Sequence, residues 1–473
     1  MISIEEMAVV DENAAALGVP QKQLMESSGS AVARTVKELA EPGARIAIVA
    51  GRGNNGGDSF VTARFLDSEY ELTIFLLGRE ETISTAITRE NWDALEQGEY
   101  DAREVRDSQD FDLDSPDVIV DAMLGTGVRG APREPERSAI ETINASEATT
   151  VAVDVPSGID ADTGEAANVA IEADHVVTFH DMKPGLASID VPVTVADIGI
   201  PSMADTIVEQ GDLLRLSRDP DSHKGDNGTV LVIGGGPYTG APALSAQAAL
   251  SAGADLVRVA CPESVAATVQ SYHEGLITMP VDGDRLASDH VDQLLDIAAE
   301  QDAVVLGPGL GAHEDTLVAA SAFLSEFDGT CVVDADPLGV VSETDATLVC
   351  TPHAGEFRRM GGDPSDDWRE RMDDVETLAD ELDATILLKG KYDVLSDGDR
   401  TRVNRTGTPA MTVGGTGDVL AGATGAFAAI LEPIDAAALG AYVNGKAGEL
   451  AADGRASISP RDLIDHLPEV IQS

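Results

Sequence analysis

A chain of 473 residues, 43% of them hydrophobic, can bury two or three domain cores, which excludes a disordered polymer. Its 84 acidic residues outnumber 31 basic ones for a formal charge of −53, so no basic stripe exists to neutralise phosphates and a nucleic-acid partner is excluded. The acids run along the whole chain and read as a solvated surface suited to a salty cytoplasm, since molar salt screens exposed charges beyond about 3 Å.

Only seven residues are lysines: Lys22, Lys37, Lys183, Lys224, Lys389, Lys391 and Lys446. Cys261, Cys331 and Cys350 lack metal-ligand spacing, and a reducing compartment is expected. The opening Met1-Ile-Ser-Ile-Glu-Glu lacks the order of a signal peptide, and no apolar run reaches membrane-spanning length. The expectation is a soluble cytoplasmic protein without a membrane partner.

In chain order, residues 3–17 and 20–40 read as two helices, with Pro20 opening the second. Arg45–Ala50 is a buried strand running into Gly51-Arg-Gly-Asn-Asn-Gly-Gly-Asp58, after which a helix pattern resumes. Strand, glycine loop and helix is how open α/β sheets bind ligands at strand carboxyl ends. The spacing is not the dinucleotide fingerprint. Its amide and carboxylate oxygens suit either a hydrated cation or ribose hydroxyls. Strands at Leu72–Leu77, Asp117–Val120 and Thr150–Val153, with helices between, indicate a mostly parallel, doubly wound sheet. Asn55, Asp121, Asp154 and Ser157 then gather at one sheet edge. Any one of them alone would be a turn or cap residue; four at successive strand ends point to a site. Lys183 is a possible fifth member.

The loops Gly53–Asp58, Asp121–Pro132 and Asp154–Gly158 resemble those of the NAD(P)H-hydrate epimerase domain, the YjeF N-terminal family, over about residues 1–212. That resemblance implies a Rossmann-like α/β/α sandwich and a potassium ion near Asn55, Asp121 and Ser157. It implies a hydrated cofactor, NADHX or NADPHX, held by Asn54, Asn55, Gly56, Gly57 and Asp58. The loop Gly125, Thr126, Gly127, Val128, Arg129, Gly130 and Ala131 would complete the grip with Asp154. Asp154, ending a buried strand beside the ion, is the candidate acid/base. Ser59 replaces a common glycine and is expected to narrow the approach to the loop.

Residues 209–228 carry Asp212, Arg215, Arg218, Asp219 and Asp221 with little periodicity, placing a boundary near 212. Val230–Ala241 is again strand then glycine loop, followed by an alanine-rich helix. Strands recur at Leu256–Ala260, Ala303–Leu306, Thr330–Val333 and Ile386–Leu388. Unusual turns end several of them: Gly307–Gly311, Asp334–Leu338, Thr351–Glu356 and Lys389–Asp393. The stretch Val413–Gly422 organises this half. Gly414, Gly415 and Gly417 lead through Asp418 into an apolar run at helical spacing, so unpaired amides and partial positive charge face outward, which suits phosphate. A carboxylate there is either a helix cap or a base that takes a proton from an attacking hydroxyl.

Together these motifs resemble the ADP/ATP-dependent NAD(P)H-hydrate dehydratase domain, the YjeF C-terminal family, ribokinase-like in fold, over about residues 213–473. The resemblance implies nucleotide contact at Lys389, Gly390, Lys391, Tyr392, Asp393 and Gly417. Hydrate contact is implied at Ala241, Gly309, His353 and Asp418. It favours ADP, with Mg2+, as phosphoryl donor to the C6 hydroxyl of the hydrate, Asp418 serving as base. Both halves in one chain imply bifunctional repair: epimerisation of the R and S hydrates, then dehydration of the S form to NAD(P)H with AMP and phosphate released. The alternative is a vitamin-precursor kinase fused to a non-catalytic module that binds a nucleotide or a protein. Alanine-rich helices near 242–252 and 435–451 are the basis for expecting a homo-oligomer.

Overall fold

The computed structural model describes residues 1–127, 130–342 and 344–472. The chain divides into two compact units, Met1–Ala204 and Asp205–Ser473. The first contains strands β1 Arg45–Ala50, β2 Glu71–Leu77, β3 Ala102–Val105, β4 Val118–Ala122, β5 Thr149–Val153, β6 His175–Phe179 and β7 Val193–Ala196. They form one sheet in the order β3-β2-β1-β4-β5-β6-β7, with parallel neighbours throughout. The sequence of β1 explains its position: Ile46, Ile48 and Ala50 pack into one core with Val32, Phe60 and Trp92, while Ala47 and Val49 enter a second with Phe111 and Ile140. A strand buried on both faces needs this continuous apolar run. The strand order reverses between β1 and β4, which opens a crevice beyond their carboxyl ends.

The second unit holds β8 Ile207–Val208, β9 Thr229–Ile233, β10 Leu256–Pro262, β11 Ile277–Val281, β12 Ala303–Leu306, β13 Thr330–Val333, β14 Thr347–Cys350, β15 Thr385–Leu388, β16 Asp393–Ser396 and β17 Thr401–Asn404. Their order is β11-β10-β9-β12-β13-β14-β15-β16-β17-β8, reversing between β9 and β12. The β15-β16 and β16-β17 pairs are antiparallel.

The unit boundary falls ahead of the expected 212. Ile207–Val208 extends the second sheet beside β17, and Asp212 forms a buried ion pair with Arg402. Arg215 likewise sits 3.5 Å from the buried Asp435. Charges read as linker are therefore part of the second unit's packing.

The alanine-rich helices Gly240–Ser251 and Pro433–Ala452 pack about the helix Thr416–Ala428. The approach is close enough that a Cβ on Gly422 would lie 2.0 Å from the Ser245 carbonyl oxygen. Six of the twelve residues of the first and sixteen of the twenty of the second are buried within their own unit. Among the described residues no helix is long and apolar enough to cross a membrane.

Candidate active sites

In the first unit a cavity of about 690 Å³ lies at the crevice beyond β1 and β4. Asn54, Asn55 and Asp58 enter it from the start of the helix Asn54–Leu66, Gly125, Thr126 and Gly127 from the loop after β4, and Asp154 from the end of β5. Gly56 and Gly57 do not border it. A Cβ on Gly56 would fall 2.1 Å from the Gly51 carbonyl oxygen, and one on Gly57 2.6 Å from Thr88 Oγ1, so these glycines permit close packing behind the loop. Gly130 and Ala131 are exposed and also outside the cavity lining; Val128 and Arg129 lie outside the described residues. Ser59 is buried with its hydroxyl donating to the Gly56 carbonyl at 2.7 Å, so it turns away from the loop instead of narrowing it.

Asp121 and Ser157 form a buried pair. The Asp121 carboxylate accepts from the Ser157 hydroxyl at 2.6 Å and the Ser157 amide at 2.8 Å. Burial pushes the Asp121 carboxyl up to about 6, against the pull of these hydrogen bonds. Leu124 links the pair to Asn55: its amide donates to Ser157 Oγ at 2.9 Å and its carbonyl accepts from Asn55 Nδ2 at 3.3 Å. Asn55 Oδ1 is buried without a hydrogen-bond partner. An orphaned oxygen beside a buried carboxylate and a hydroxyl is a donor set a hard cation fits.

Lys183 does join the site. It is 1% exposed, and its ammonium lies 3.3 Å from Asp154 Oδ1 while donating to the Phe179 carbonyl at 2.8 Å. Asp154 has φ +65° and accepts from Thr178 Oγ1 at 2.9 Å. Asp11, on the helix Ile4–Ala16, was missed by sequence reasoning and borders the same cavity. Its only sequence signal is a carboxylate next to Val9, Val10, Asn13 and Ala14, all buried.

In the second unit, four successive strand ends meet. The Asp334 amide donates to the Leu306 carbonyl, the Thr351 amide to the Val333 carbonyl and the Lys389 amide to the Pro352 carbonyl. The Lys389 ammonium lies 2.9 Å from Asp334 Oδ1 and 3.9 Å from Glu356 Oε2. Burial alone would lower its pKa; Asp334, Glu356 and Asp418 outweigh that and hold it above the ordinary range. Asp334 and Glu356 belong to turns the sequence singled out, but were not themselves chosen.

The helix Thr416–Ala428 starts at Gly415, whose φ of +99° suits only glycine without strain. Asp418 is thus in the helix's first turn, with the cap position occupied by Gly415. Burial and then Asp334 push the Asp418 carboxyl up to about 7, with Lys389 opposing. A Cβ on Gly417 would stand 3.5 Å from the Lys389 ammonium, so the helix mouth and the lysine turn face each other. Asp393 closes that turn by accepting from the Gly390 amide at 2.9 Å. Lys391 lies over the Tyr392 ring at 5.4 Å.

His353 caps the helix Ala354–Arg359, its Nδ1 accepting from the Gly355 and Glu356 amides at 2.9 and 3.1 Å. Its backbone bridges to Lys389. Across the β9/β12 crevice, a Cβ on Gly309 would come 3.3 Å from the Ala241 Cβ. The expected residues therefore form two linked groups: Ala241 with Gly309, and His353 with Lys389, Gly417 and Asp418.

A family model described as NAD(P)H-hydrate dehydratase matches residues 230–469, and one described as YjeF-related protein N-terminus matches residues 21–185. The bifunctional NAD(P)H-hydrate repair enzyme of Methanothermobacter thermautotrophicus is 43% identical over 98% of this chain and 94% of its own length. That of Pyrobaculum aerophilum is 45% identical over 99% of this chain and 97% of its own. A solved ribokinase-like superfamily protein of Enterococcus faecalis covers 56% of this chain and 95% of its own with a TM-score of 0.50 at 23% identity, a likeness of fold.

Proposed function

We start from the premise that this chain belongs to the family of bifunctional NAD(P)H-hydrate repair enzymes, and we propose which of its residues carry the two reactions. The enzyme joins an isomerase to a lyase: it epimerises the R and S hydrates of NAD(P)H and dehydrates the S form at the expense of a nucleotide. We assign epimerisation to the first unit and dehydration to the second.

Hydroxide is a poor leaving group at neutral pH. In the second unit Asp418 removes the proton from the C6 hydroxyl as its oxygen attacks the terminal phosphorus of ADP, releasing AMP. Lys389 and the amides at the mouth of the helix Thr416–Ala428 hold the transferred group, and the ring nitrogen's lone pair then expels phosphate. Magnesium accompanies the nucleotide. His353, Ala241 and Gly309 hold the hydrate, and the Lys389–Asp393 turn with Gly417 holds the nucleotide. The juxtaposition of Asp418 with Lys389 carries this reading.

In the first unit, Asn55, Asp121 and Ser157 suit a potassium ion, which when bound supplies a fixed positive charge at the sheet edge. Asp154 is the acid/base, and Asn54, Asp58 and the Gly125–Gly127 loop grip the hydrate. Three buried free cysteines fit a reducing cytoplasm.

The test is to incubate hydrated NADH with the protein and ADP in molar potassium chloride. Recovery of the reduced-cofactor absorbance with release of free phosphate supports the reading; a stable phosphorylated product points instead to a kinase.

A further inference from the structure

Asp11 carries one more assignment, which rests on the epimerase reading of the first cavity. It borders that cavity with Asp58, Asp154 and Lys183, yet comes from the N-terminal helix and not from the sheet edge. Lys183, Asp154, His180 and Glu12 act on it electrostatically, and Asp58 faces it as well. Asp154 and Asp11 are equipped differently. Asp154 has an ammonium at 3.3 Å and a hydroxyl donor at 2.9 Å, partners that suit an anion. At Asp11 burial outweighs the lysine's attraction and raises the carboxyl to about 6. Of the cavity's other carboxyls, Glu136 pairs with Arg52 at 3.5 Å, and Asp58, also raised by burial, is among the residues assigned to gripping the hydrate. Asp154, supplied with a cation, and Asp11, governed by burial, divide naturally into base and acid.

We propose that Asp11 is the second proton-transfer group of the epimerisation, paired with Asp154. The Asp154 carboxylate takes the proton of the C6 hydroxyl, and the O–H electron pair becomes the second bond of a carbonyl. The C6–N1 bond breaks with its pair remaining on N1, which takes the proton of Asp11. The open-chain aldehyde turns about its C5–C6 bond. N1 then attacks the other carbonyl face and returns its proton to Asp11, while the oxygen recovers the proton from Asp154. Nothing is oxidised, and no water is consumed.

The test uses the full chain without nucleotide and follows R–S interconversion by a chiral assay, with the enzyme-free rate subtracted. In the wild type the rate falls as pH rises through about 6, where Asp11 loses its proton. Asp11→Asn lowers the rate at least about a hundredfold with KM unchanged, and abolishes that fall. Asp11→Glu retains it. ADP-driven dehydration of the S hydrate continues in all three, and a thermal melt of the first unit matching the wild type's shows that the substitutions leave it folded. An Asp11→Asn variant that keeps the wild-type rate, or the same loss at rising pH, overturns the assignment alone. A wild-type chain that leaves unequal epimers unchanged overturns the epimerase reading, and the role of Asp11 with it.

Discussion

Asp334 and Lys389 are 55 residues apart in the chain and meet at 2.9 Å, closing the ends of β13 and β15 over the end of β14. The intervening strand contributes too: Thr351 donates its hydroxyl to the same Asp334 oxygen at 2.7 Å. The lysine is thereby anchored by its own unit, with Glu356 as a second counter-charge.

Replacing Lys389 with Met removes both the cation proposed for the phosphate and the partner of two largely buried carboxylates. Breaking such a pair costs about 3 kcal/mol of stability, and losing one preorganised donor costs about a hundredfold in kcat. Dehydration should collapse, with a lowered melting temperature, while epimerisation stays at the wild-type rate. Equal loss of both activities would mean that the lysine acts through global stability alone.

The strand–loop alternation was legible because both sheets are buried on two faces, so β1, β4, β9 and β12 each appear as an unbroken apolar run ending in glycine or a carboxylate. Asp418 and Lys389, which the structure brings together, were singled out by the same logic. Asp11 was not, because its helix precedes the first strand and nothing local says which way a helix folds back. The edge strand Ile207–Val208 is too short to show a period. Asp212 and Arg215 resemble solvated linker charges until Arg402 and Asp435, both far along the chain, bury them.

Potassium should matter to one reaction only. If the proposed potassium site is right, exchanging potassium chloride for tetramethylammonium chloride at equal ionic strength should slow epimer interconversion, because Asn55 Oδ1 and Asp121 would lose the cation proposed for them. Asn55→Ala should remove the difference between the two salts. Dehydration of the S hydrate by the same preparations provides the control for any effect of potassium on the second unit.

The buried ion pair between Asp212 and Arg402 ties the start of the second unit to β17. Asp212→Asn leaves a buried guanidinium short of its counter-charge and should cost about 3–5 kcal/mol. The double variant Asp212→Leu with Arg402→Met should recover part of that loss, since an apolar pair carries no stranded charge. Thermal melting of the three proteins decides the matter.

A charge of −53 makes self-repulsion a general term in this protein's stability. Raising potassium chloride from about 0.01 M to 1 M shortens the screening length from about 30 to 3 Å, so the melting temperature should climb across that range. Sucrose, which does not screen charge, should not reproduce the salt curve.

Asp418 should link activity and stability to one titration. In the proposed role of general base it works ionised, so dehydration should rise as pH passes through about 7. Stability should run the other way. The carboxyl's folded pKa lies above its unfolded value of 3.8, so the proton is held more tightly in the folded state. The cost of a buried charge is therefore absent below about 3.8, accumulates between there and about 7, and is complete above. Asp418→Asn never carries that charge. Without nucleotide it should melt at the wild-type temperature at low pH and, by pH 8, exceed the wild type by on the order of 2 kcal/mol, while dehydration falls at least about a hundredfold throughout. An Asn variant no more stable than the wild type at pH 8 would mean that the carboxylate is already compensated in the resting site, with Lys389 matching its charge.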